Sequence, residues 1–173
     1  ASLENFRKVE GMPLSDYTAP SRYAIGYVEY LLKNFKESLP WFEKSSSDGR
    51  FREMSSYYIM ECRFMMKDYE YVTENGDSMY ASVPADRKPH LARIISESYL
   101  VSGDADNARK YYELSEDGDG KTKSRADWFY SGSVLYAVND YKGAIENFSM
   151  ITERTDSIGQ IADYQMAYSY IRT

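Results

Sequence analysis

The chain has one cysteine, one histidine and five prolines among 173 residues. A single cysteine, Cys62, excludes an intramolecular disulfide and any multi-cysteine zinc cluster, and it reads as a buried, inert thiol on a helix face. The lone His90 leaves no histidine pair for a metal centre. Its place after Pro89 fits the first turn of a helix, as an ordinary surface or groove residue. Lys and Arg number 21 against 27 Asp and Glu, a net charge of −6, so the basic face of a nucleic-acid binder is lacking. No run approaches the roughly eighteen apolar residues of a membrane span. The opening Ala1-Ser2-Leu3-Glu4-Asn5 has neither the basic nor the apolar part of a signal peptide. The expectation is a soluble chain, either cytoplasmic or in a bacterial periplasm or cell envelope. Sustained apolar–polar alternation is also missing, which argues against strands.

What is present is a regular period and a surplus of rings. A polar or small residue followed by a ring or alanine recurs at Asn34-Phe35, Asp68-Tyr69, Asp104-Ala105 and Asp140-Tyr141, at spacings of 34, 36 and 36. Upstream of each junction lies a segment of about fourteen residues with apolar side chains every three or four positions, such as Tyr23, Ile25, Val28 and Leu31. Downstream lies a second such segment, such as Phe35, Leu39 and Phe42, which ends at the Ser45–Gly49 turn cluster. A two-helix unit repeated at this period buries its apolar face only by stacking on its neighbours. The 18 tyrosines, 7 phenylalanines and 2 tryptophans put Tyr at roughly three times its usual share. Such rings can fill the wedge between stacked helices or line a recognition surface.

The fourth unit carries the clearest signature, with Trp128, Gly132 and Leu135, then Asp140-Tyr141, then Ala144 and Phe148. It resembles the tetratricopeptide repeat, whose pattern is Trp-x2-Leu-Gly-x2-Tyr, Ala-x3-Phe and a closing Pro. The first unit matches at Gly26, Ser38 and Phe42, and the third at Ser96, Ala108 and Tyr112. Small residues at Gly26, Ser38, Ser96, Ala108, Gly132 and Ala144 are expected where paired helices approach most closely. The resemblance implies an all-α, right-handed α-solenoid of antiparallel helix pairs with about ten helices. Its parts are the end of a preceding repeat plus linker (1–18), repeats at 19–52, 53–88, 89–124 and 125–159, and the first helix of a fifth (160–173), together one domain. The second repeat is degenerate, with Met60, Val72 and Met79 at the small positions, so its second helix is expected to be bent, shortened or displaced around Asn75-Gly76. Half-units at both ends point to a fragment of a longer array that contacts neighbouring repeats of its parent.

The resemblance also implies a concave groove lined by the first helix of each unit. Carrying over the groove positions names Tyr23, Tyr27, Tyr30, Tyr57, Glu61, Phe64, Arg93, Glu97, Phe129 and Tyr136, with His90, Leu100 and Ser133 beside them. Rings at helical spacing can equally be packing, and both readings stand at this stage. The family's carboxylate clamp of Lys and Asn is replaced here by Tyr23, Tyr27 and Tyr57. The stretch Ser115–Thr122 fails as a phosphate loop because Ser115 stands where Gly is needed. It fails as a calcium loop because Ala126 stands where a bidentate Glu is needed. It reads as an acidic linker. No catalytic constellation, metal site or cofactor is expected, and the expected role is to hold a partner polypeptide in the aromatic groove. A structural spacer or self-association element of an envelope assembly is the second reading, and a glycan-binding or hydrolytic repeat using Glu61 and Glu97 the third.

Overall fold

A computed structural model describes residues 2–116 and 123–173; most of the acidic linker, 117–122, lies outside the described residues. The described residues form ten α-helices and no strand. In chain order these are α1 Ser2–Glu10, α2 Thr18–Leu31, α3 Phe35–Ser45, α4 Arg52–Met65 and α5 Tyr69–Ser82. They continue with α6 Lys88–Val101, α7 Ala105–Glu116, α8 Arg125–Ala137, α9 Tyr141–Ser149 and α10 Ser157–Arg172. Consecutive helices pack as adjacent pairs, as a helical repeat requires. The contacts divide the chain into two compact units, residues 1–94 and 95–173.

Each of the four sequence junctions is one and the same backbone turn. After α2 the amide of Asn34 donates to Glu29 O, and that of Lys33 to Tyr30 O. The same two bonds recur from Asp68 and Lys67, from Asp104 and Gly103, and from Asp140 and Asn139, with the longer-range bond at 2.9–3.0 Å throughout. This is the Schellman closure, in which one left-handed residue lets the chain reverse while the last carbonyls of the helix find donors. Among the described residues, Lys33, Lys67, Gly103 and Asn139 are the four at positive φ, at 62°, 62°, 81° and 61°. The aspartate that follows then caps the next helix. Asp68 Oδ1 accepts from the Tyr71 amide, Asp104 from Asn107 and Asp140 from Gly143. Asn34 departs from this, turning its side-chain amide to Glu29 Oε2 at 2.9 Å. Three residues do the work of a turn, so the repeat period is written into the backbone.

The small residues sit where expected. Gly26, Ser38, Ser96, Ala108, Gly132 and Ala144 are all buried. A methyl added at Gly132 would stand 2.5 Å from the Phe148 ring, and one at Gly26 would stand 3.1 Å from Phe42. Two of the pairs are also joined by a hydrogen bond across the crossing. Ser38 Oγ donates to Gly26 O at 2.7 Å, from the second helix to the first. Ser96 Oγ donates to Ala108 O at 2.6 Å, from the first helix to the second. A hydroxyl is thus small enough to permit close approach and supplies a polar tie as well.

In the degenerate repeat, α5 is as long as α4 and runs without interruption through Asn75-Gly76. Asn75 turns its amide back onto Tyr71 O at 2.9 Å, and Gly76 is buried. Pro84 ends the unit, preceding a short 3-10 turn at Ala85–Arg87. In residues 95–173 the buried core gathers Ala144, Phe148, Ile151 and Ala162, packed against Trp128, Phe129, Leu135 and Met166. The start of α8 is fixed by a Ser124–Asp127 capping box, and Arg125 grips Asp156, the N-cap of α10, with two bonds of 2.9 and 2.5 Å.

Candidate functional site

The tyrosines of α2 recur at intervals of four and three, which places Tyr23, Tyr27 and Tyr30 along one helical face. Their rings are nearly parallel, with centroids 6.3 and 6.5 Å apart. All three meet the ring of Tyr58 edge-on, at 6.2, 5.5 and 5.0 Å. Tyr58, which the groove positions omit, is therefore the hub of the cluster. It is buried and lies flat on Phe42 at 5.0 Å, so the cluster reaches from the surface of α2 to the α3–α4 core. Tyr27 keeps 37% of its surface exposed. Tyr23 and Tyr30 are half-buried, and Tyr57 is buried. Burial raises the Tyr58 hydroxyl to about 12, with the neighbouring Tyr23 and Tyr27 adding to the effect.

Beneath the rings lies Glu61, only 6% exposed. Its carboxylate accepts from Tyr30 Oη, from His90 Nε2 at 3.1 Å and from the Tyr57 hydroxyl. Burial disfavours its charge, but these three hydrogen bonds outweigh burial and hold the carboxyl below the ordinary glutamate range. The tyrosine partners respond in the opposite sense. Burial, then the hydrogen bond to Glu61, pushes Tyr30 and Tyr57 well above the usual phenol range. The guanidinium of Arg87 lies 5.3 Å over the Tyr57 ring and counteracts part of that rise. One carboxylate thus ties α2, α4 and α6 together through three donors. The donors come from three different segments, which sequence spacing alone does not reveal.

The other groove residues are placed separately. Phe64 packs on Tyr69 at 5.9 Å, joining the end of α4 to the start of α5. Arg93 and Glu97 are half-buried on α6 and engaged with neighbouring groups. In residues 95–173, Phe129 leans on Phe148 at 6.3 Å. Tyr136 forms a triangle of rings with Tyr141 and Tyr168, each side 5.8–6.1 Å. Cys62 is fully buried beside Ser38 Oγ at 3.7 Å, and burial pushes its thiol up to about 11. Among the described residues no group of three or more His, Cys, Asp or Glu side chains converges as for a metal ion. No helix among them is long and apolar enough to cross a membrane. Compared with known proteins, the chain matches no family model, no curated protein and no solved structure.

Proposed function

We propose that the chain is a non-catalytic binding module of the tetratricopeptide type, which holds a partner polypeptide against the tyrosine face of α2. The observation that supports this is the parallel row Tyr23, Tyr27 and Tyr30, with Tyr27 open at its centre and every ring backed by Tyr58. A ring whose rear is already packed loses little freedom when its front is covered, and its hydroxyl can hydrogen-bond a peptide backbone. Glu61 supports the same reading. With three donors on its carboxylate it anchors the wall rather than serving as a proton donor.

The test begins with peptides selected by display on the immobilised chain. Tyr27→Ala is expected to weaken the selected peptides roughly tenfold or more, as loss of an aromatic anchor does. Tyr164→Ala, on α10, is the control and should leave binding unchanged. Equal affinity for the Tyr27 variant would refute the assignment. A structural reading, self-association, draws support from α10, where Ile161, Tyr164 and Ile171 are exposed. It predicts a mass that rises with concentration in light scattering and falls in an Ile161→Ser, Ile171→Ser variant.

A further inference from the structure

Two adjacent turns of residues 1–94 share an unusual end. The α2–α3 turn reads Leu31-Leu32-Lys33 and the α4–α5 turn reads Met65-Met66-Lys67. Leu31 and Leu32 are each 60% exposed and Met65 is 51% exposed. Lys33 and Lys67 occupy the left-handed turn position at φ 62°, where a side chain is strained and glycine or asparagine is favoured. The fold does not need lysine there, since the matching turns hold Gly103 and Asn139. Both lysines are exposed, and neither has an ion-pair partner among the described residues. The nearby Asp68 is already taken by Arg63 at 2.9 Å, and Glu29 by Arg7 at 2.7 Å. With Lys36, the free cations at this edge outnumber the exposed Glu37 and Glu70, on a chain whose net charge is −6.

The left-handed conformation belongs to the turn, but a lysine in that place at two equivalent positions, each joined to exposed apolar side chains, singles this edge out as a contact surface. We propose that this edge, Leu31-Leu32-Lys33 with Met65-Met66-Lys67, docks peripherally on an anionic phospholipid surface. Leu and Met tips would enter the headgroup–acyl boundary while the lysines meet lipid phosphates, without any segment crossing the bilayer. A lipid surface suits this geometry better than a protein partner. The apolar residues stand at separate turn tips, each followed directly by an exposed lysine, and not along one continuous helical face. The proposal is independent of the tyrosine face and survives its failure.

Vesicle co-sedimentation of the whole chain tests it, comparing phosphatidylcholine alone with phosphatidylcholine containing phosphatidylglycerol. The chain should sediment with the anionic vesicles alone, and less as salt is raised. Lys33→Gly with Lys67→Gly should lower the bound partition by roughly fivefold per lysine, while the melting temperature rises as strain is relieved. Leu31→Ser with Met65→Ser should release the chain without loss of helicity. Absence of binding to anionic vesicles, or binding that persists in both double variants, overturns the proposal. Loss of a concentration-dependent dimer in Leu31→Ser, Met65→Ser without any vesicle binding would assign the edge to a second copy and overturn it too.

Discussion

Gly132 and Gly26 hold the same place in their repeats yet leave different room. A methyl at position 132 would meet three atoms of the Phe148 ring at 2.5–2.9 Å, closer than real contacts allow, and that ring is fully buried with nowhere to turn. Gly132→Ala should therefore destabilise the fold by about 1–3 kcal/mol, the usual penalty of overpacking. At Gly26 the closest ring atoms stand at 3.1 Å, and a few tenths of an ångström of movement suffice. Gly26→Ala should cost less, and alanine's better helix propensity of roughly 1 kcal/mol offsets part of that cost. Urea denaturation of both variants gives the comparison directly, and an equal loss in the two would contradict this account of the crossing.

At the scale of elements, the Glu61 junction makes the packing of α2, α4 and α6 depend on pH from both sides. The folded carboxyl titrates below its ordinary value of 4.5, so its contribution is fully present above that value and is lost as pH falls through it. Tyr30 and Tyr57 titrate above 10.0, so theirs is present below 10 and is lost as pH rises beyond it. Glu61→Gln should lower stability near neutrality by about 1–3 kcal/mol, since a charge-assisted acceptor is lost to three donors. It should also flatten the acid limb of the stability profile. Absorbance at 295 nm, followed against pH, checks the alkaline side. A set of tyrosines should stay protonated past the normal phenolate transition until unfolding releases them. Titration of every tyrosine near pH 10 in the folded chain would contradict the buried cluster.

These two cases also mark how far the sequence could be read. The helices were legible because their ends are local: an aspartate or asparagine follows each left-handed residue, and its spacing to the next junction is the length of one helix pair. The crossings were legible because only small residues fit there, at Gly26, Ser38, Ser96, Ala108, Gly132 and Ala144. The site was legible only in part. Tyr57 and Tyr58 are neighbours in sequence, and a rotation of one residue about α4 decides which of them meets the α2 row; the groove positions implied by the tetratricopeptide resemblance include Tyr57 and omit Tyr58, the ring that all three α2 tyrosines touch. The side chains around Glu61 come from positions 30, 57 and 90, and no spacing rule links them. Three exposed apolar tips, by contrast, are visible in the sequence as an apolar residue two positions before a left-handed one, at Leu31, Met65 and Val101.

For the whole molecule, the division into residues 1–94 and 95–173 means that each part carries its own buried cluster. In a helical repeat, damage spreads mainly through nearest neighbours. Gly132→Ala is therefore expected to speed amide hydrogen exchange in α8, α9 and α10 more than in α2 and α3. Mass-spectrometric peptide mapping would show this, and uniform acceleration along the chain would argue for one cooperative block.

The serine bonds at the crossings carry a consequence for how such a sequence can change. Ser38 faces Gly26, and Ser96 faces Ala108, so the hydroxyl comes from the second helix in one pair and from the first in the other. The two positions behave as a single compartment of fixed volume that admits one hydroxyl, indifferent to which side delivers it. Exchanging the occupants together, as in Gly26→Ser with Ser38→Gly, preserves both the space and the bond, whereas either change alone gives up one of them. Drift at these sites is therefore paired drift, and a repeat can lose its resemblance to its neighbours, residue by residue, while its helices remain at the same distance.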